Sequence, residues 1–85
     1  MNHFATTGFW YHYRRLRLEV RRLADKSFAL LQQNSSHPSL RFKKVRANVW
    51  SVRVGLHYRA LAVERPDGLY WFWIGHHGEY DVLLN

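Results

Sequence analysis

The sequence predicts an α+β domain with two N-terminal helices packed on an antiparallel sheet, and three observations predict it. Apolar residues between Leu18 and Gln33 recur at helical spacing. The segments Asn48 to Val54 and Leu56 to Glu64 alternate, and Leu69 to Ile74 is rich in aromatics. Gly55 and Arg65-Pro66-Asp67-Gly68 divide these segments with turn chemistry. At 85 residues, the chain holds one domain, residues 1–85, with no room for a second.

Thr6-Thr7 offers an N-cap ahead of Phe9-Trp10, so a first short helix is expected over roughly residues 7–15. The second runs from about Leu18 to Gln33. Val20, Leu23, Leu30 and Leu31 form its stripe, with Ala24 and Ser27 between them and Phe28 at its flank. Asn34-Ser35-Ser36-His37-Pro38-Ser39 stops it, because the residue before a proline resists the α region. His37 to Lys44 then reads as a basic loop leading into a meander of three strands.

Register gives the sharpest expectation. With three-residue loops at Gly55-Leu56-His57 and Pro66-Asp67-Gly68, Val54 faces Tyr58, Val52 faces Ala60, and Trp50 faces Ala62. Ala62 then faces Phe72, and Ala60 faces Ile74, on the same apolar side. The two alanines leave room there for a helix. The opposite side carries Ser51, Arg53, Arg59, Leu61, Val63, Trp71, Trp73 and Gly75, with Arg53 across from Arg59 and Arg59 across from Gly75. Like charges facing each other destabilise a sheet, so a fold that keeps such a pair is expected to meet an anion there.

Composition bounds the function. Residues 1–47 carry ten Lys/Arg against two carboxylates, whereas residues 48–85 are close to neutral, within a chain of net charge +7. That asymmetry points to a basic N-terminal surface for phosphate or an acidic protein; the alternative is a solvated helix face. Arg14, Arg15, Arg17, Arg21 and Arg22 crowd the helical hairpin and suit partner docking, since nothing places them beside a general base. No cysteine is present, which excludes disulfides and thiolate metal sites and fits a cytoplasmic protein. No apolar run approaches the ~20 residues of a membrane span, and no signal peptide is visible.

Two constellations carry chemistry. Arg53 and Arg59 present guanidinium forks that match phosphate oxygens; the alternative is pairing with Glu64 or Glu79. His76, His77, Glu79, Tyr80 and Asp81 follow the third strand directly. Cleaving RNA needs a base for the 2′-hydroxyl, an acid for the leaving oxygen and cations for the developing charge, and histidine can take either proton role. The alternative is that the histidines cap a strand end while Tyr80 packs. A metal centre is disfavoured, because adjacent histidines on a strand point apart and arginines repel a dication. Lys43, Lys44 and Arg46 add basic charge near the sheet. His76 can contact RNA, and Trp73 can stack a base or be buried.

The segments Phe9-Trp10, Leu23-Ala24-Asp25-Lys26-Ser27-Phe28, His37 to Lys44, Trp50 to Gly55, His57 to Leu61, and Trp73 to Asp81 together resemble the RelE/ParE toxin superfamily of type II toxin–antitoxin systems, closest to its short RelE-like subgroup. The resemblance covers nearly the whole chain. It implies helices on a curved antiparallel sheet, a cognate acidic antitoxin forming a hetero-oligomer with the toxin, and no cofactor. RelE-type members cleave mRNA in the ribosomal A site without a metal. By that pattern Arg53 and Arg59 hold the scissile phosphate, His77 transfers protons, and Tyr80 orients the substrate. This chain has Arg53 where a lysine is expected and Ser51 in place of a second lysine, which leaves His77 and Glu79 both open as general base. ParE-type members instead inhibit DNA gyrase, and an inactive protein-binding module is the remaining alternative.

Overall fold

Thr6 is where the chain turns from extended to helical. Its Oγ1 accepts the Phe9 N–H at 3.1 Å, filling one of the donors that a helix start leaves open. The computed structural model describes residues 1–84. It places a short strand β1 (His3–Ala5) before that cap and helix α1 (Thr7–Arg14) after it. Helix α2 (Leu18–Gln33) follows within three residues. Arg21 secures this tight connection: its Nε donates to the Leu16 carbonyl at 2.9 Å and its Nη2 to the Arg14 carbonyl at 3.0 Å. One guanidinium thus satisfies carbonyls that the end of α1 leaves free. The Tyr13 hydroxyl donates to Asp25 Oδ1 at 2.8 Å and ties α1 to α2.

Helix α2 buries Val20, Ala24 and Leu31. Leu23 and Phe28 stay 41% exposed, so the face in contact is narrower than the apolar stripe. After Asn34, a 3-10 turn at Pro38–Leu40 inserts Leu40, 1% exposed, into the core. The expected basic loop is therefore part 3-10 turn and part strand.

The sheet has five strands in the order β1-β5-β4-β3-β2. Its centre is the predicted meander: β3 (Val49–Val54), β4 (Tyr58–Arg65) and β5 (Gly68–His76). Two short edges were not legible. β1 pairs parallel with β5, which makes the sheet mixed rather than purely antiparallel. β2 (Lys43–Arg46) pairs antiparallel with β3 and shifts register between Lys44 and Arg46. Three basic residues and an irregularity are how an edge strand discourages pairing with other chains, and they also hide it from a propensity reading.

The predicted register between β3 and β4 is the observed one, from Val54↔Tyr58 through Arg53↔Arg59 to Trp50↔Ala62. The three-residue turn at Gly55-Leu56-His57 forms, with Gly55 at φ +62°. A side chain at Gly55 would also meet Leu23 Cδ1 at 3.0 Å. The second turn differs. Arg65 pairs with Gly68, so only Pro66 and Asp67 form the loop. A register shift then falls between Leu61 and Ala62, where Leu61 faces Trp73 and Ala62 faces Trp71. The loop is one residue shorter than expected and β5 carries one extra residue, Phe72, as a bulge. The two offsets cancel beyond the bulge, so Arg59↔Gly75 and Ala60↔Ile74 stand as predicted. Before it, every residue of β5 changes side. Trp71 enters the core in place of Phe72, which is 37% exposed.

The core lies on the helix side of the sheet. Val52, Val54, Ala60, Ala62, Leu69, Trp71 and Ile74 pack with Ala24, Leu31 and Leu40, and Phe9 and Tyr13 of α1 cover the cluster. Ala60 and Ala62 let the helices approach closely. Each buried aliphatic side chain contributes about 1.5–3 kcal/mol by leaving water. Trp71 Nε1 donates to His3 Nδ1 at 3.0 Å, which joins the edge strand to the core. Burial, and then the N-terminal ammonium, lower the His3 pKa from its ordinary value and keep its Nδ1 free to accept. Among the described residues, no helix is long and apolar enough to cross a membrane.

Candidate functional site

Alternation along β3 and β4 sends Val52, Val54 and Ala60 into the core and therefore Arg53 and Arg59 to the opposite face, directly across from each other. Arg53 Nε donates to the Gly55 carbonyl at 3.1 Å, which ties the side chain to the turn after β3. The Arg59 guanidinium carbon lies 5.5 Å from the Tyr80 ring centroid. Neither arginine forms a salt bridge among the described residues; the ion pairs there are Arg17–Glu19 and Lys44–Glu64, and His77 Nδ1 stands near Asp81, a pair that is ionic only with His77 protonated.

Glu64, one of the carboxylates that would have neutralised the pair, is engaged elsewhere. Trp50 Nε1 donates to Glu64 Oε1 at 2.7 Å, and Lys44 Nζ stands 3.4 Å from the same oxygen. The hydrogen bond from Trp50, then that from Lys44 and its charge, hold the Glu64 carboxyl below its ordinary pKa. Lys44 pairs with Trp50 in the ladder and hence belongs to the helix side. Lys43 pairs with Ser51 and Arg46 with Val49, both on the arginine side. Of the three basic residues expected near phosphate, Lys43 and Arg46 thus share the arginine face and Lys44 does not.

The strand end that carries the histidines is longer than predicted and leads into a helix. β5 continues to His76, and α3 (His77–Leu84) carries His77, Glu79, Tyr80 and Asp81. Helical spacing groups His77, Tyr80 and Asp81 on one side and sends Glu79, two residues on, to another. Arg41, Arg53, Leu56, Arg59, His77 and Asp81 line an open depression of about 340 Å³. His77 Nδ1 is 3.9 Å from Asp81 Oδ2, and the His77 N–H donates to the His57 carbonyl at 2.8 Å. Exposed Glu79 is not among the lining residues. Of the two residues open as general base, His77 is the one beside the arginines.

Two members of the site were missed. Arg41 follows the 3-10 turn in a left-handed conformation, φ +45°, which no pattern in the sequence announces. His57 was within reach. The ladder pairs Tyr58 with His76, so the residue before Tyr58 lies beside the start of α3. Its ring centroid is 6.2 Å from that of His76 and 6.1 Å from that of His77, and His76 and His77 are 4.5 Å apart. His76 Nδ1 accepts the Gly78 N–H at 3.1 Å and so caps α3. Among the described residues, no group of three or more His, Cys, Asp or Glu is arranged to hold a metal ion.

Trp73 faces the arginine side but is only 7% exposed, so its ring is enclosed rather than offered to a base. It lies over Gly75, where an added Cβ would come within 2.5 Å of the indole. Trp71, expected on the same face, is on the other side of the sheet for the reason given by the bulge. The hairpin arginines lie outside the depression. Arg21 is committed to backbone carbonyls, Arg17 to Glu19 at 3.5 Å, and Arg15 to the Tyr11 hydroxyl at 3.4 Å. Arg14 and Arg22 are exposed.

Three comparisons bear on this arrangement. A family model described as ParE-like toxin domain matches residues 18–82. No curated protein sequence matches the chain. Among solved structures, the fold is similar to the crystal structure of a RelB-RelE antitoxin-toxin complex from Methanococcus jannaschii. The TM-score is 0.71 and the identity 19%, covering 93% of this chain and 96% of that one.

Proposed function

We propose, from the premise that this chain belongs to the ParE-like toxin domain family, that it arrests growth by cutting RNA in the depression between Arg41, Arg53, Arg59 and His77. As a toxin of the RelE/ParE kind, it acts on mRNA on the ribosome and is held inactive by a cognate acidic antitoxin. The single observation that carries this reading is the facing pair Arg53 and Arg59, free of salt bridges among the described residues, with His77 beside them.

In the proposed reaction the guanidiniums bind the scissile phosphodiester and neutralise the charge that builds on its oxygens. Neutral His77 takes the 2′-hydroxyl proton. The 2′-oxygen attacks phosphorus and the 5′-oxygen leaves, taking a proton from the solvent to which the depression opens. The products are a 2′,3′-cyclic phosphate and a 5′-hydroxyl. Asp81 orients the His77 ring, and Tyr80 holds Arg59 in place through its ring face. Lys43 and Arg46 extend the positive track along the edge of the sheet. The exposed hairpin arginines, Arg14 and Arg22 foremost, suit contact with acidic antitoxin or ribosomal RNA.

Mapping transcript 5′ ends after induction tests the reading. Discrete new ends inside coding regions are expected with the native chain. Arg59→Ala should abolish them, and His77→Ala should reduce them about 10²–10⁴-fold, the usual worth of a general base. Intact transcripts in arrested cells would count against cleavage. The matched family's ParE-like description favours a second reading, inhibition of DNA gyrase by binding alone. Altered supercoiling with intact mRNA, insensitive to His77→Ala, identifies that case.

A further inference from the structure

His57, His76 and His77 come from three places, the β3–β4 turn, the end of β5 and the start of α3, and meet as one stack. Their rings are inclined by 12° between His57 and His76 and by 30° between His76 and His77. The groups around the stack are mostly cationic. Arg41, Arg53 and Arg59 line the same depression as His77, and Tyr58 meets His76 edge-on at 5.5 Å. Among the described residues, Asp81 is the one carboxylate lining the depression, Tyr80 lies against Arg59, and Glu79 is exposed outside it. Three neighbouring imidazoles and three guanidiniums thus share one patch of the surface. His76 Nδ1 is engaged by the Gly78 N–H. The first two N–H groups of α3 are already used, by the His57 carbonyl and by His76.

A bound chain of phosphodiesters favours each proton added to rings in such a patch, because the charges are opposite. We infer that His57 and His76 of the stack take up protons together with a polyanion, so that they join the arginines in gripping it and binding tightens in acid, while His77 is left to act as the base. This rests on reading the depression as an RNA site, and it adds His57, His76 and a proton linkage to that reading.

The probe is a 2′-O-methyl RNA oligonucleotide, which binds but cannot be cut. Its affinity for the full chain is measured from pH 8 to 5.5 at fixed salt, and again over a salt series. Calorimetry in two buffers of different ionisation enthalpy counts protons. The expected result is net proton uptake, with affinity rising up to about tenfold per pH unit for each proton taken up. His57→Gln and His76→Gln should each reduce the uptake while the salt dependence persists. His57 sits in an exposed turn and its hydrogen bond to α3 comes from its backbone carbonyl, so its variant tests the imidazole even if His76→Gln loosens the helix. Binding that weakens with salt but ignores pH overturns the linkage and leaves the RNA reading standing. Uptake unchanged in both variants assigns the protons elsewhere and also overturns it. Absence of salt-dependent binding refutes both.

Discussion

On the helix side of the sheet, Val52, Val54, Ala60, Ala62, Trp71 and Ile74 are buried in one apolar cluster, and the Trp71 N–H is satisfied by His3. One residue over on the same strands, Arg53 faces Arg59, Gly75 has no side chain, and polar groups line an open depression. The two faces share a backbone, so the difference between them comes from alternation alone. It teaches where each kind of free energy sits. Dewetting on one side holds the fold together, and that surplus tolerates an unfavourable charge pair on the other.

The largest way to break the comparison is on the apolar face. Trp71→Ala should remove about 3–5 kcal/mol, the usual cost of truncating a buried aromatic. A domain of this size has little more than that in reserve. Chemical denaturation should show a chain that is mostly unfolded without denaturant. A midpoint close to the native one would mean that Trp71 is not part of the core.

Gly75→Ala sharpens the comparison, because it places a methyl on the charged face where the Trp73 indole already lies. Overpacking of this kind costs about 1–3 kcal/mol, so a clear fall in denaturation midpoint is expected from a substitution on the functional side. No change would show that Trp73 swings away freely, and would return it to consideration as a base-stacking residue.

A smaller effect tests the join between edge strand and core. His3 has a folded-state pKa below its unfolded value, so the folded chain binds fewer protons there. Its contribution is intact above the ordinary histidine value of about 6.5 and fades as pH falls from there through the lowered folded-state value. Acid titration of stability should therefore show a small downward step across that window, set by the burial of His3 and by the N-terminal ammonium beside it. His3→Gln should flatten that step. An unchanged step in the variant would place the sensitive group elsewhere.

Much of the architecture was legible because it rests on strong local signals. Helical spacing from Leu18, the Thr6 cap and the alternating β3 and β4 all read through to the structure. The arginine face was legible for the same reason: alternation between Val52 and Val54 leaves Arg53 one destination. The edges were not, since three residues of β1 carry no pattern and the charges of β2 argue against a strand. The Pro66-Asp67 turn and the Phe72 bulge each shift β5 by one residue in opposite senses, so Trp71 was misplaced while Gly75 was not. α3 was missed because Gly78 interrupts it and His76, rather than a serine or aspartate, caps it. His57 is a nonlocal member of the site, visible only once the ladder is followed to its end.

The central claim is that Arg53 and Arg59 are kept opposite each other for an anion rather than for the fold. The double variant Arg53→Ala/Arg59→Ala, assayed for thermal midpoint and for growth arrest on induction, tests it most directly. Relief of a like-charge pair, about 0.2–1 kcal/mol in a sheet, should leave the midpoint equal or slightly higher while growth arrest disappears. Full arrest by a well-folded double variant would contradict the account.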